Sequence, residues 1–331
     1  MEKNILITEK DNFKFIGRSV LTDDSLELTW SNSGIDFDFR GDGFLIFFKQ
    51  FQDDQPVYIK LIVDGAEQRF AVSDGREAVI AEGIGDGCHH ARVIRITEGE
   101  KPLSLRAVRL TGKHPEMLEK PEDKNVKLEF IGDSLTCGYG ILGDVNSPGF
   151  FTFEEDSTRA YAYLTAQALD ADANFVCASG KGMVNNCMGA RGYEVPLWYD
   201  YTSRTGKGWD HSSFEPDVIV INIGTNDAWG GASKEEFKSV STAFLRRLRQ
   251  LHPHSALLWA FGFMGTDLVL SVKELMKDYK KEDPNSFFYS IPPIFGKNGE
   301  TGAVGHPSAK ANVRLARSLT RIINKILTKA D

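Results

Sequence analysis

The sequence predicts an α/β protein of two domains, an all-β sandwich followed by a three-layer α/β sandwich with a parallel sheet. Between residues 19 and 110, apolar and polar residues alternate in short segments, whereas beyond residue 126 apolar runs alternate with helical patterns. A polar stretch that contains two prolines separates the two patterns. The chain has 331 residues, more than the roughly 100–200 residues of a typical domain, which also favours two domains.

The first pattern predicts antiparallel strands. The alternating segments are IDFDFR, GFLIFFKQF, VYIKLIVDG, ARVIRITEG and LSLRAVRL. Successive side chains of a strand point to opposite faces, so alternation indicates strands that are buried on one side only. Turn signals separate the segments: SNSG, RGDG, VDGAEQ, SDGRE and EGIGDG. We therefore predict a jelly-roll β-sandwich over residues 1–115.

The second pattern predicts a parallel sheet covered by helices. Residues 116–125 are predicted to be a linker, and residues 126–331 a second domain. Its apolar runs are VKLEFI, ANFVCAS, DVIVINIG, ALLWAFGF and FFYSI, and helical segments such as RAYAYLTAQAL and EEFKSVSTAFLRRLRQL lie between them. Such alternation is typical of βαβ units.

The last segment of the chain predicts a long amphipathic helix. Leu315, Leu319, Ile322 and Ile326 recur at three- and four-residue steps, which places them on one face. Pro307 suits the first turn of this helix, where a missing N–H is tolerated.

Composition and charge exclude several classes of protein. The hydrophobic fraction of 41% and the charged fraction of 26% are those of a soluble globular protein. A net charge of -7 argues against nucleic acid or an anionic membrane surface as a partner. The opening residues MEKNILITEKDNF lack the apolar core of a signal peptide, so the printed chain predicts a cytoplasmic protein, or a secreted one if a leader was removed. The four scattered cysteines predict free thiols rather than a metal site or disulfides.

The stretch FIGDSLTCGYG, residues 130–140, raises the possibility of a nucleophilic serine. VKLEFI reads as a strand, followed by a tight turn and the start of a helix, so Ser134 lies at the carboxyl end of a strand. Ligands bind at that edge of an open α/β sheet, and a serine there exposes its hydroxyl group to the cleft. The alternative is a serine that only caps a helix in an ordinary Gly-Asp-Ser turn.

A serine nucleophile needs an imidazole base, and the chain has seven histidines. Six lie in less suitable places, either in the predicted β-domain, in the polar stretch, or ahead of strands in the second domain: His89, His90, His114, His211, His252 and His254. His306 lies in a glycine-rich loop after a late strand and directly before the last helix. This places it on the cleft side of the sheet, so His306 is the predicted base.

The developing negative charge on a substrate oxygen needs hydrogen-bond donors. Asn226 follows the apolar strand DVIVI, and its amide group can donate. The backbone N–H of Ser134 and that of a glycine in CASGKG lie just past two other predicted strands. Together they predict an oxyanion hole at the edge of the sheet.

These motifs resemble a known superfamily. Four motifs occur in the order found in SGNH (GDSL) hydrolases: GDSL, the glycine block SGKG at residues 179–182, GTND, and a late His-Pro. With the leading β-sandwich and the patterns WSNSGIDF and VDG, nearly the whole chain is similar to carbohydrate esterase family 2, the acetyl xylan esterase-like enzymes. The resemblance implies a flavodoxin-like sheet, Ser134 as nucleophile, His306 as base, and Ser134, Gly182 and Asn226 as oxyanion donors. Gly180 competes with Gly182 for the glycine position.

The sequence departs from the superfamily pattern at one place. Members usually carry an Asp two or three residues before the His, where this chain has Ala303 and Val304. Glu300 is the only acid between Asn285 and His306. The chain therefore resembles the members that use a Ser-His dyad, in which a backbone carbonyl holds the imidazole.

The resemblance implies hydrolysis of O-acetyl esters on plant-type saccharides, such as xylan- or mannan-derived oligosaccharides, without a metal or organic cofactor. Trp229, three residues after Asn226, and Asp133, next to Ser134, are candidate substrate contacts. Other aromatic residues near the site are as well explained by core packing: Trp198, Tyr199, Tyr201 and Trp209. The alternatives are a carbohydrate-binding protein with a weak or inactive hydrolase domain, and a lipase or thioesterase of the same superfamily.

Overall fold

The computed structural model describes residues 1–49, 54–72, 78–99, 101–202, 206, 208–294 and 299–330. These residues form two compact units, residues 1–123 with Thr202, and residues 124–201 with the described residues from 206 onward. The first unit thus reaches beyond residue 115, because Glu116–Met117, in the predicted linker, pairs with Arg40 and Phe39 as an antiparallel strand. Among the described residues, no helix combines the length and apolar character needed to span a membrane.

The first unit is built from antiparallel strands. Their bounds are β1 Glu2–Leu6, β2 Lys14–Ile16, β3 Ser19–Leu21, β4 Leu26–Leu28, β5 Gly34–Phe48, β6 Val57–Val63, β7 Ala66–Val72, β8 Ala78–Arg95, β9 Leu103–Thr111 and β10 Glu116–Met117. The main strand order is β3-β4-β9-β5-β8-β6-β7, with β1 paired to β9 and both β2 and β10 paired to β5. The predicted all-β N-terminal domain is confirmed.

The core of the first unit follows from the alternation in β5. Phe37, Phe39 and Phe44 are fully buried and meet edge to face, with Phe37 and Phe39 each 5.3 Å from Phe44 between ring centroids. Burying one such side chain stabilises the folded state by about 1.5–3 kcal/mol relative to leaving it exposed. Apolar packing inside the sandwich is therefore the main source of its stability.

Two predicted turns lie inside long strands instead. RGDG falls within β5 and EGIGDG within β8, where the pairing jumps from Gly41↔Gly87 to Gly43↔Glu82. This is a bulge, which bends a strand without ending it. Glycine is needed at this bend, since a Cβ at Gly41 would lie 2.3 Å from the carbonyl oxygen of Thr111. The VDGAEQ turn between β6 and β7 is confirmed, and SDGRE lies at residues 73–77, outside the described residues.

The second unit is a parallel sheet with helices. Its strands are β11 Val126–Gly132, β12 Ala171–Cys177, β13 Val218–Asn222, β14 Ala256–Phe261 and β15 Ser286–Ser290. Its α-helices are α1 Ser134–Cys137, α2 Tyr161–Ala168, α3 Val195–Trp198, α4 Thr225–Trp229, α5 Lys234–Leu251, α6 Val269–Tyr279 and α7 Ala309–Ala330. Across both units, the described residues also form 3-10 turns at Lys10–Asn12, Thr152–Glu154, Ser157–Arg159, Cys187–Gly189, His211–Ser213 and Ala303–Gly305. The strand order is β12-β11-β13-β14-β15, all parallel, which confirms the predicted α/β domain.

The central strands read as unbroken apolar runs because both faces of the sheet are covered. Every residue of β13 and β14 is buried. Since β12, β11 and β13 are neighbours and run in the same direction, the three loops that follow them leave the sheet at the same edge. These loops carry the predicted glycine block, Ser134 and Asn226.

The last helix follows the prediction with two changes. Leu315, Leu319 and Ile326 are buried, but Ile323 rather than Ile322 completes the apolar face. A helix completes one turn every 3.6 residues, so a stripe of apolar residues at three- and four-residue steps drifts around the helix axis over several turns. Near the end of the helix this drift buries position 323 instead of position 322. The helix begins at Ala309, so Pro307 precedes it and pairs with Thr301 instead.

Candidate active site

Ser134 is presented by a very tight turn from strand to helix. Strand β11 ends at Gly132, and a Cβ there would lie 1.8 Å from the hydroxyl oxygen of Thr136. The carboxylate of Asp133 caps helix α1 by accepting a hydrogen bond from Leu135 N at 3.0 Å. Ser134 is the first residue of this helix, so its backbone N–H has no acceptor within the helix. The hydroxyl group and a donor N–H therefore belong to one residue.

The structure brings His306 to Ser134, although 172 residues separate them in the chain. The Nε2 atom of His306 lies 2.9 Å from Oγ of Ser134, and its Nδ1 atom lies 3.2 Å from the carbonyl oxygen of Val304. A carbonyl oxygen can only accept, so Nδ1 carries the proton and Nε2 accepts from the serine. This is the tautomer that a general base requires.

The loop that carries His306 is held by backbone contacts. Gly302 N donates to the carbonyl of His306 at 2.6 Å, and Ala303 N donates to the carbonyl of Gly140 at 2.9 Å. Gly140 lies in the turn that follows Ser134, and a Cβ there would lie 2.8 Å from the carbonyl oxygen of Ala303. The loops of the serine and the histidine therefore contact each other directly.

Glu300, the acid closest to His306 in sequence, is engaged elsewhere. Its carboxylate accepts two hydrogen bonds from the guanidinium of Arg314 on α7, at 2.9 and 3.0 Å. Its backbone carbonyl accepts from Ser308 N. The pair therefore fixes the start of the histidine loop to helix α7, while the Val304 carbonyl contacts the imidazole.

Asn226 lies between the loops of Ser134 and the glycine block. Strand β13 ends at Asn222, and Gly224, with a φ of 135°, turns the chain into helix α4. The Nδ2 atom of Asn226 lies 2.9 Å from the carbonyl oxygen of Lys181 and 3.3 Å from Oδ2 of Asp133. The predicted donor is thus beside the nucleophile, with two protein acceptors in reach.

The two candidate glycines have different surroundings. The N–H of Gly182 donates to Oδ1 of Asn186 at 3.2 Å, and a Cβ at Gly182 would lie 2.1 Å from the carbonyl oxygen of Asn185. Gly180 has a φ of +75°, and the nearest atom to a Cβ there is Cβ of Cys187, 3.5 Å away. Gly182 is therefore enclosed by its own loop, whereas Gly180 has room around it.

Asp227 is a residue of the site that sequence reasoning missed. Its buried carboxylate accepts hydrogen bonds from three successive backbone N–H groups, those of Met183, Val184 and Asn185, at 2.9, 2.7 and 3.1 Å. Burial raises the pKa of the Asp227 carboxyl group, although the three N–H donors oppose that shift. Asp227 thus holds the glycine block in place. The only signal in the sequence was an acid directly after Asn226.

The two predicted substrate contacts differ. Asp133 is fully buried and its carboxylate contacts Leu135 N and Asn226, which gives it a supporting position, and its predicted contact with substrate stays a prediction. Trp229 is 54% exposed at the end of α4, so its predicted substrate contact stays a prediction. Trp198 and Tyr199 are buried, in agreement with the packing alternative.

A column of aromatic rings lies beside the site and was also missed. The ring of Tyr139 lies 4.3 Å from the imidazole of His306 between centroids, at an interplanar angle of 34°. Tyr139 also stacks on Phe150, with 4.5 Å between centroids. The imidazole of His306 thus contacts the Val304 carbonyl through Nδ1 at its edge and the Tyr139 ring through its face.

The described residues also include cysteines and side chains of metal-ligating types. The four cysteines are free thiols in the structure. Within the described part of the chain, no three His, Cys, Asp or Glu side chains are grouped so that they could hold a metal ion.

Comparison with known proteins identifies the class. Residues 130–320 match the family model of the GDSL-like Lipase/Acylhydrolase family, and residues 15–121 match that of the Carbohydrate esterase 2 N-terminal domain. The chain belongs to the GDSL-like Lipase/Acylhydrolase family. Its N-terminal domain is that of carbohydrate esterase family 2, so both parts of the predicted resemblance are confirmed.

Particular relatives are carbohydrate esterases. Cellulase/esterase CelE of Acetivibrio thermocellus is 32% identical over 311 residues, which cover 90% of this chain and 37% of that protein. An acetylxylan esterase / glucomannan deacetylase of Cellvibrio japonicus is 25% identical over 330 residues, 96% of this chain and 89% of that protein. The structure of a family two carbohydrate esterase from Clostridium thermocellum in complex with cellohexaose is 29% identical, with a TM-score of 0.87, and covers 96% of this chain and 99% of that one.

Proposed function

We propose that this protein is a serine esterase that removes O-acetyl groups from saccharides of the xylan or mannan type. The observation that carries the proposal is the 2.9 Å contact between Oγ of Ser134 and Nε2 of His306, with Asn226 and the glycine block beside it. The names of the carbohydrate esterase relatives support the substrate class.

The reaction proceeds in two steps through an acetyl-enzyme. Oγ of Ser134 attacks the acetyl carbon while Nε2 of His306 takes the hydroxyl proton. The tetrahedral intermediate collapses, the C–O bond to the sugar breaks, and the imidazolium returns the proton to the departing sugar oxygen. Water then attacks the acetyl-enzyme with His306 again as base, the bond from the acetyl carbon to Oγ breaks, and the imidazolium returns the proton to Oγ of Ser134 as acetate leaves.

The oxyanion of the intermediate is stabilised by the backbone N–H of Ser134, by a glycine N–H and by the amide of Asn226. Two of these donors already have protein acceptors. Asn226 Nδ2 has the Lys181 carbonyl at 2.9 Å and Oδ2 of Asp133 at 3.3 Å, and Gly182 N has Oδ1 of Asn186 at 3.2 Å. The contacts with Asp133 and Asn186 are the longer ones, so a charged substrate oxygen can share or replace these two. Removal of one oxyanion donor costs about 100- to 1000-fold in kcat in comparable enzymes.

The dyad works without an acidic third member. The Val304 carbonyl sets the tautomer of His306, which is one part of what a buried Asp does in a triad. The neutral carbonyl supplies less stabilisation for the imidazolium than a carboxylate would. We therefore expect other groups around His306 to contribute to the stability of its imidazolium.

The test is to follow acetyl groups one by one by NMR on acetylated xylan and mannan oligosaccharides, in the wild type and in Ser134→Ala. The wild type should release acetate, and the folded variant should lose at least about 1000-fold in rate. Binding of the oligosaccharide without acetate release would favour the alternative of a carbohydrate-binding protein.

A series of para-nitrophenyl esters tests the other alternative. An acetyl esterase should prefer acetyl over butyryl and longer chains. Equal or better rates on long acyl chains would favour a lipase or thioesterase.

A further inference from the structure

The imidazole of His306 lies against an aromatic ring in the described structure. The centroids of His306 and Tyr139 are 4.3 Å apart, and the ring planes are tilted by 34°. A cation within about 6 Å of an aromatic centroid is attracted by the negative face of the ring. Tyr139 is therefore close enough to act on the charge of the imidazole.

The backbone fixes Tyr139 relative to the nucleophile. Gly138, with a φ of 83°, ends helix α1, and the N–H groups of Gly138 and Tyr139 both donate to the carbonyl of Ser134 at 3.1 Å. The next residue, Gly140, accepts the hydrogen bond from Ala303 in the histidine loop. The turn that presents the serine thus also presents the ring on which the histidine lies.

Stacking on Phe150 limits the movement of the Tyr139 side chain. The two rings are nearly parallel, with 4.5 Å between centroids and an angle of 19°. Tyr139 and Phe150 are both half-buried. The position of the Tyr139 ring is therefore fixed by the backbone hydrogen bonds of its turn and by the Phe150 ring. The imidazole of His306 packs against the ring fixed in this way.

We propose that Tyr139 is a positioning residue that takes over part of the role of the Asp whose place Ala303 and Val304 occupy in this chain. Its ring fixes the plane of the imidazole, and its π face stabilises the positive charge that His306 gains when it takes the proton of Ser134. This inference rests on the proposed esterase function. It adds a contact on the face of the imidazole to the contact that the Val304 carbonyl makes at Nδ1.

The first test compares Tyr139→Phe and Tyr139→Leu in the full chain, with para-nitrophenyl acetate as substrate and active sites counted by burst titration. Phenylalanine keeps the aromatic face, so kcat should stay within about threefold of the wild type. Leucine keeps bulk but loses the face, so kcat should fall about tenfold or more while KM changes little, because the charge exists only after proton transfer. Tyr289→Leu, at a half-buried tyrosine of strand β15, is the matched control and should keep wild-type kinetics.

The second test separates the electrostatic effect from packing. Phenylalanine carrying one, two or three fluorine atoms is placed at position 139, which keeps the ring shape but weakens the negative face stepwise. The logarithm of kcat should fall with each added fluorine, over a total range of about 3- to 30-fold. Unchanged kcat along the series, or in Tyr139→Leu, would overturn the proposal.

The outcomes also separate this inference from the function on which it rests. If the wild type showed no Ser134-dependent hydrolysis of the acetate ester, both would fail. If the wild type is active and the fluorine series is flat, only the role of Tyr139 fails.

Discussion

The carbonyl oxygen of Val304 lies 3.2 Å from Nδ1 of His306, so a backbone group contacts the imidazole nitrogen that faces away from the nucleophile. Val304 adopts a φ of 51°, in the left-handed region that β-branched residues rarely occupy. Its side chain is 44% exposed. The contact therefore depends on the backbone, while the valine side chain adds conformational strain.

Val304→Asn should keep activity and raise stability. Asparagine tolerates a left-handed conformation, so the variant should be more stable by about 0.5–1 kcal/mol, with kcat/KM within about threefold of wild type. Thermal unfolding and ester hydrolysis measure the two effects. A large loss of activity with intact folding would mean that the valine side chain itself matters.

Gly182→Ala and Gly180→Ala should differ. Alanine at 182 would put its Cβ 2.1 Å from the carbonyl oxygen of Asn185, so the loop must move and kcat/KM should fall about 100-fold or more. Alanine at 180 meets no close atom but keeps a φ of +75°, so it should cost about 1–2 kcal/mol of stability and leave most activity. The reverse order of kcat/KM losses would assign the glycine donor to Gly180.

Asp227→Asn should loosen the glycine block. An amide presents only one oxygen to the N–H groups of Met183, Val184 and Asn185, and its NH₂ group opposes one of them. Hydrogen bonds to a charged group contribute about 1.5–3 kcal/mol each, so the free energy of unfolding should drop by about 2 kcal/mol or more, with a loss in kcat.

Asp210→Asn is the matched control for that variant. Asp210 caps a surface 3-10 turn by accepting from Ser212 N and lies in an exposed position. Equal losses of kcat in the two variants would argue against a specific role for Asp227.

His89 in the first unit should make stability depend on pH. Burial alone lowers the pKa of His89, but hydrogen bonds to the Asp64 carboxylate at 2.6 Å and the Gly85 carbonyl at 3.0 Å outweigh it, so the net pKa is raised. A raised folded pKa contributes stability below the unfolded value of about 6.5, and this contribution disappears as pH rises through the folded pKa. The stability difference between wild type and His89→Gln should therefore be largest below about pH 6.5 and shrink as pH rises above it.

Denaturant unfolding of the full chain measures this difference. His114→Gln, at an exposed histidine, is the control for the loss of an imidazole side chain as such. A constant gap between wild type and His89→Gln across the range would contradict the expected linkage.

The periodic features of the fold were predictable from the sequence, and the contacts between distant residues were not. Alternation and apolar runs predicted both domains, and chain direction placed Ser134, Asn226 and the glycine block at one edge of the sheet. The bulges in β5 and β8 were predicted as turns, because a glycine pattern is the same whether the strand ends or only bends.

The supporting contacts of the site were missed for a different reason. The carboxylate of Asp227 and the ring of Tyr139 contact residues that are far away in sequence. The local sequence pattern does not indicate which residues these partners are. His306 was predicted by elimination and by its place after a late strand. The structure was needed to show that its Nε2 atom lies within hydrogen-bond distance of Oγ of Ser134.

The long sequence separation of Ser134 and His306 bears on biosynthesis. A ribosome releases the segment with the serine well before the segment with the histidine, and the bond from Ala303 to Gly140 can form only after both have emerged. A nascent chain therefore carries the alcohol without its base, and the dyad can assemble only after the histidine loop, which the Glu300–Arg314 pair ties to helix α7, has been synthesised.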